Sequence, residues 1–237
     1  MSTYVYGIAR SSHPSLPNEA KGVGDPPRPV RILKQGRLAA LVSDAPEDLR
    51  PKRRDLLAHQ NVLREAGEKG TVLPLRFGGI SPDDETLASV LAEREDHYLE
   101  RLLALDGKAE YNVKASHDEE AVLHRVLADD PRLRAMAEAG RTGGGSHEQK
   151  IQLGERIATA VQLREAADAD LVRARLEEAA EEVSAGPQST GWLTNLSFLV
   201  VRERGADFLN AVDELRKQQP HLVLTVTGPL PPYSFVE

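Results

Sequence analysis

The chain of 237 residues contains no cysteine. Disulfide staples, thiolate catalysis and cysteine-ligated zinc or iron are therefore excluded. Aromatic residues make up only 4%, so the core has to be built from Leu, Val and Ala. An excess of positive charge is missing as well. The formal balance of −7 disfavours binding to nucleic acid, which needs a basic footprint to displace counterions, and adsorption to anionic lipid. No apolar run approaches the ~20 residues that span a bilayer, and the start of the chain carries no secretory leader. A soluble protein of the cytoplasm is expected.

What is present is ordinary for a globular protein. The apolar fraction is 40% and the charged fraction 28%, and the length suffices for two modest cores. Thr3–Ala9 reads as a strand. Residues 11–29 carry five prolines and read as a loop. Val30–Leu33 and Leu38–Val42 flank a glycine turn, as in a hairpin. Pro51 opens a helix with Leu56, Leu57, Val62 and Leu63 at helical spacing. Thr71–Phe77 is a strand that Pro74 restricts to an edge or a bulge. Ser81-Pro82-Asp83-Asp84-Glu85 has the form of a capped helix start, and one helix is expected from there to Asp106-Gly107.

A second unit begins after that stop. Lys108–Lys114 alternates as a strand, residues 118–139 give helices broken at Asp130-Pro131, and a long helix is expected from His147 to Glu182. Trp192–Arg202, Gly205–Gln218 and His221–Thr227 form a β-α-β unit. The predicted class is α+β with two domains. Residues 1–105 form a mixed sheet with helices. Residues 106–237 form a modified ferredoxin-like domain with a helical insertion over about 118–185 and an extended tail over 228–237.

Candidate chemistry is thin. Gly140-Arg141-Thr142-Gly143-Gly144-Gly145-Ser146 has the glycine spacing of a phosphate loop but lacks its lysine and follows a helix, so a linker is the better reading. No histidine pair has the i, i+4 spacing of a zinc helix. His117 and His124 share one predicted face with acids between them, which reads as a solvated surface. His59, beside Gln60 and Asn61, reads as a buried hydrogen-bonded histidine. Arg50, Lys52, Arg53 and Arg54 sit at a helix start, where positive charge is mildly unfavourable. The acids of Glu165–Glu182 alternate with Arg164, Arg173 and Arg175, which points to i, i+4 pairs rather than a metal site. No nucleophile elbow occurs. No catalytic residue, cofactor or metal ligand is assigned, and the protein is expected not to be an enzyme.

The ending is the most distinctive stretch. Leu222–Thr227 reads as a strand and runs into Gly228-Pro229-Leu230-Pro231-Pro232-Tyr233-Ser234-Phe235-Val236-Glu237. Prolines fix φ and remove backbone donors, so the strand yields to an extended tail. Its Leu230, Tyr233, Phe235 and Val236 need a surface to lie on, the chain's own or a partner's. This ending resembles that of the GvpL/GvpF family of gas vesicle accessory proteins. Tyr4–Ile8, Gly36–Ser43, His59–Leu63, Thr71–Gly78, Leu105–Lys114 and Asn195–Val200 match the family in the same order over nearly the whole length.

The resemblance implies a gas vesicle accessory or minor structural component that binds the hydrophobic shell protein and supports nucleation or assembly. Its partners would be the shell protein and other accessory proteins, with no nucleic acid and no lipid membrane, and its location the gas vesicle in the cytoplasm. Leu75, Arg76, Phe77, Tyr233 and Phe235 are the expected partner-binding residues. A metal- or nucleotide-dependent enzyme, using the His117/His124 face or the glycine run, and an RNA-binding ferredoxin-like module are the alternatives.

Overall fold

Thr3–Arg10 forms strand β1, and every residue from Thr3 to Ala9 is buried. That explains why TYVYGIA lacks the polar alternation of a half-exposed strand. In the computed structural model, which describes residues 2–14, 17–141, 146–187 and 191–236, the chain divides into two units. One is Met1–Glu110 with Gly228–Glu237, the other Tyr111–Thr227. The α+β class read from the sequence holds. The division falls inside a strand rather than before it. The tail groups with the first unit, not with the C-terminal domain where the sequence placed it, because its apolar side chains find their seat there.

In the first unit β1 is joined by β2 (Arg31–Gln35), β3 (Leu38–Asp44), β4 (Val72–Pro74) and the short β5 (Ile80–Ser81). The order is β2-β3-β1-β4, with β5 also pairing to β1, and these pairings are antiparallel. Pro74 ends β4 at the margin of this path, as a residue without a backbone donor should. Helix α1 (Arg53–Gly67) covers β1 through Val62, Leu63 and Ala66. Close approach is possible because β1 has glycine at position 7. A Cβ there would lie 2.8 Å from Leu63 Cδ2 and 2.8 Å from the Leu73 carbonyl oxygen.

The expected single helix after Ser81 is two, α2 (Asp84–Glu93) and α3 (Glu95–Ala104). Ser81 is spent on pairing with Thr3, and Asp83 is the cap, its Oδ1 accepting from the Thr86 N–H at 2.7 Å. The break at Arg94 has a local cause in the hairpin turn of β2 and β3. The Arg37 N–H and guanidinium donate to the two Glu95 carboxylate oxygens at 2.9 and 2.7 Å, and Arg37 also reaches Asp96 at 2.6 Å. Acids gathered at a helix start are favourable, and this clamp fixes where α3 begins.

The second unit contains β6 (Lys108–His117), α4 (Glu119–Asp129), α5 (Pro131–Arg141), α6 (His147–Glu177), β7 (Glu182–Ala185), β8 (Thr194–Val201), α7 (Gly205–Gln218) and β9 (Leu222–Leu230). Its sheet runs β7-β8-β6-β9. With α4–α6 counted as one crossover, the succession is β-α-β-β-α-β in the split arrangement of ferredoxin-like folds. Phe208 of α7 packs on the sheet, its ring centroid 5.2 Å from those of both Tyr111 and Phe198. The helices of the crossover share a smaller cluster of Val122, Val126 and Leu133, against which Leu153, Ile157 and Val161 of α6 rest half-buried.

Helix α6 stops at Glu177 rather than continuing to Glu182. Beyond it the Glu181 N–H donates to the Leu199 carbonyl, and β7 pairs with β8. Strand pairing thus overrides the helical preference of the Glu and Ala residues here. β7 is short, charged and at the sheet edge, which suits a strand that has to resist pairing with other chains.

Candidate functional site

Leu75, Arg76 and Phe77 follow β4 on a segment held from beneath at several backbone points. The Leu75 N–H donates to the Tyr6 carbonyl at 2.8 Å, and the Val5 N–H to the Gly79 carbonyl at 2.9 Å. The Gly78 N–H reaches the Tyr4 hydroxyl at 3.3 Å. Gly78 sits at φ +97°, a conformation that glycine adopts without a Cβ penalty. His59 of α1 completes the bracket, with Nε2 3.0 Å from the Leu75 carbonyl and Nδ1 2.8 Å from the Tyr4 hydroxyl. Nε2 therefore carries the proton and donates to the carbonyl, while Nδ1 accepts from Tyr4. Burial pushes the imidazole below its ordinary pKa, against the opposing hydrogen bond to Leu75. Burial likewise drives the Tyr4 phenol well above its usual range.

The rings form one cluster. Tyr6 stacks on His59 at 5.5 Å, and Phe77 stands edge-on to His59 at 5.9 Å. The Tyr6 hydroxyl accepts from the Val23 N–H at 2.9 Å and lies 3.0 Å from Ser43 Oγ. Nearby, the buried Asp55 accepts from the Gly24 N–H at 2.9 Å. Burial raises its pKa, but that hydrogen bond and Arg54 outweigh the effect and hold it low. The same residues fix the proline-rich loop and present the 75–77 segment. Arg76 is exposed, and Leu75 and Phe77 are half-buried.

The tail adds to this core. Tyr233 packs against the cluster of Tyr4, Tyr6 and Leu63, as Phe77 does. Its phenol is pushed up to about 12 by burial and by the nearby Glu110 carboxylate. Ser234 donates through its N–H and hydroxyl to the two Glu110 oxygens, each at 2.8 Å, and Arg101 donates to the Phe235 carbonyl. Phe235 is 3% exposed. It anchors the tail and offers no contact surface of its own. Of the five expected residues, Phe77 and Tyr233 pack on one core, Leu75 is half-buried beside the exposed Arg76, and Phe235 is buried.

The second unit holds a constellation that the sequence analysis missed. His117 at the end of β6, Asp168 in α6 and His221 before β9 converge. Asp168 Oδ2 lies 2.9 Å from His117 Nε2, 2.8 Å from His221 Nε2 and 3.0 Å from Arg164 Nε. Burial raises the Asp168 pKa, but donation from Arg164 and the two histidines prevails and holds it low. The expected partner of His117, His124, is exposed on α4 and stands outside this group. Arg164–Asp168 is one of the i, i+4 pairs that the charge alternation of this helix suggests. Nothing in the spacing of 117, 168 and 221 announces that the fold joins them.

Two other candidates resolve simply. Thr142–Gly145 of the glycine run lies outside the described residues. In the basic cluster Arg50 pairs with Asp48, and Arg54 with Asp25 and Asp55, so nearby acids offset the unfavourable charge at the start of α1.

By class this is an α+β protein of two compact units, the first presenting a hydrogen-bonded surface loop at Leu75–Phe77. Residues 2–237 match the family described as gas vesicle synthesis protein GvpL/GvpF, and the chain belongs to that family. It is 69% identical to gas vesicle protein F of Streptomyces sp. (strain CB03234), with all of both chains covered. It is 29% identical to gas vesicle protein L of the same organism, covering 98% of this chain and 91% of that one. The fold matches the crystal structure of gas vesicle protein GvpF from Anabaena sp. PCC7120 with a TM-score of 0.77 at 24% identity, covering 100% of this chain and 98% of that one. GvpF from Microcystis aeruginosa matches at 0.71 and 24%, covering 100% and 99%. The chain is thus a gas vesicle protein. Among the described residues no helix is long and apolar enough to cross a membrane.

Proposed function

We propose that this protein binds the gas vesicle shell protein and supports vesicle nucleation or assembly, acting by binding rather than by turnover. A shell subunit with an apolar, gas-facing side associates indiscriminately unless that side is held until it is placed. The observation that carries the site is the rigid presentation of Arg76 between half-buried Leu75 and Phe77, beside the edge strand β4. A shallow apolar strip of this kind suits an amphipathic helix or extended segment of the partner. Arg76 supplies a charge that fixes orientation, and Tyr233 packs on the same core as Phe77. Other gas vesicle accessory proteins are further partners in this reading.

The test is capture of the shell protein by the purified chain, with vesicle flotation in producing cells. Arg76→Glu should cost at least tenfold in capture, about 1.4 kcal/mol or more of binding free energy, and leave the melting temperature unchanged. Full capture and normal flotation with Arg76→Glu and Phe77→Ala combined would reject this surface.

A further inference from the structure

We propose that His117, Asp168 and His221 form a binding site for one divalent transition-metal ion of the zinc class. Their ligand atoms all lie within 4.8 Å of one another, and the three residues are 8% (His117 side chain), 1% and 2% exposed. Four-coordinate zinc bonded to nitrogen and oxygen at ~2.0–2.2 Å places its ligands about 3.3 Å apart. The two imidazole nitrogens stand 2.9 and 2.8 Å from Asp168 Oδ2, so a small outward shift makes room for an ion. Two imidazoles and one carboxylate, with no sulfur, select zinc, cobalt, nickel or ferrous iron over cuprous copper, calcium or magnesium.

The hydrogen bonding around the cluster supplies a second, independent observation. Asp168 Oδ2 is offered donors from His117, His221 and Arg164 together. Arg164 Nη2, which can only donate, also lies 3.3 Å from His221 Nε2. That nitrogen cannot donate to Asp168 and accept from Arg164 at once. A bound ion removes the conflict, because both imidazoles then present lone pairs to it. Arg164 has somewhere to go, since its Nη1 is already 3.3 Å from Asp129 Oδ2. The guanidinium is thus a resident counter-ion that the metal displaces toward Asp129. A cleft of about 520 Å³, lined by His117 with Gln162, Glu165, Trp192 and Leu193, gives access. The bound ion would tie α6 to the end of β6 and the turn before β9.

The experiment uses the full chain, made without a histidine tag, stripped with chelator and titrated with Co²⁺ and Zn²⁺. One equivalent should bind, Co²⁺ should show the visible absorption of a four-coordinate nitrogen–oxygen site, and the melting temperature should rise by several degrees and fall again with chelator. His117→Gln, at the cleft margin, and Asp168→Asn should abolish saturable binding. Arg164→Gln should tighten Co²⁺ binding, because no guanidinium then has to be displaced from Asp168. Circular dichroism is the check that each variant is folded. Absence of saturable Co²⁺ binding to the wild-type chain would overturn the site, leaving a purely hydrogen-bonded cluster. So would unchanged affinity in folded His117→Gln, and weaker binding in Arg164→Gln would overturn the displacement.

Discussion

Tyr4 and His59 are the two side chains on which the bracketed loop most depends, and each makes a separable prediction. Tyr4→Phe keeps the ring contacts but deletes the hydroxyl that donates to His59 and accepts from Gly78. Leaving buried partners unsatisfied costs ~1–3 kcal/mol, so urea unfolding should show a lower midpoint with an unchanged slope. His59 is held neutral by burial, with its folded pKa below the unfolded value. The unfolded chain therefore binds the extra proton, and the stability that the neutral imidazole contributes is complete above about pH 6.5. It is lost as pH falls from there toward the folded pKa, with a slope of at most ~1.4 kcal/mol per pH unit for one group. Melting curves from pH 7.5 to 5 should show the wild type losing stability faster than His59→Gln. Identical slopes would mean that His59 titrates alike in both states. His59, read from the sequence as a buried hydrogen-bonded helix histidine, is buried and hydrogen-bonded in the structure. The surroundings of Asp168 were not legible, because i, i+4 spacing exposes the pair it forms with Arg164 and is blind to two histidines brought in by distant strands.

Elements were read best where apolar periodicity or turn residues dictate them, and worst where packing decides. β1, the β2–β3 hairpin, α1 and the β8–α7–β9 unit were all visible as patterns. The split of α2 from α3 was not, since Arg37 clamps Glu95 from another part of the chain. β7 was missed because its only large apolar residue is Val183 and its stability comes from β8. The same principle predicts uneven behaviour along α6. Its C-terminal half buries Asp168, Val172 and Leu176, whereas the N-terminal half has only half-buried contacts with α4 and α5. Hydrogen exchange should find residues 150–158 protected less than residues 170–176, and both less than β8 at 196–200. Uniform protection along α6 would contradict this. In the tail, Phe235→Ala removes a buried ring and should cost ~3–5 kcal/mol, measurable by thermal melting. Arg76→Ala, on the exposed side, should stay within about 0.5 kcal/mol of wild type.

At the scale of the molecule, the ordered family phrases identified the kind of protein, but the unit to which the tail belongs could not be read from them. Three prolines and four apolar side chains announce that residues 228–236 need a seat; they do not say where. The structure places that seat on the first unit, beside Glu110, Arg101 and the core of Tyr4 and Tyr6. This arrangement has a consequence for synthesis. Residues 228–236 leave the ribosome only after all of Tyr111–Thr227 has been made. At ordinary elongation rates that is on the order of ten seconds during which the first unit waits without Tyr233 and Phe235. Until then the core of Tyr4, Tyr6 and Leu63, against which Phe77 also packs, lacks the ring that Tyr233 brings to it.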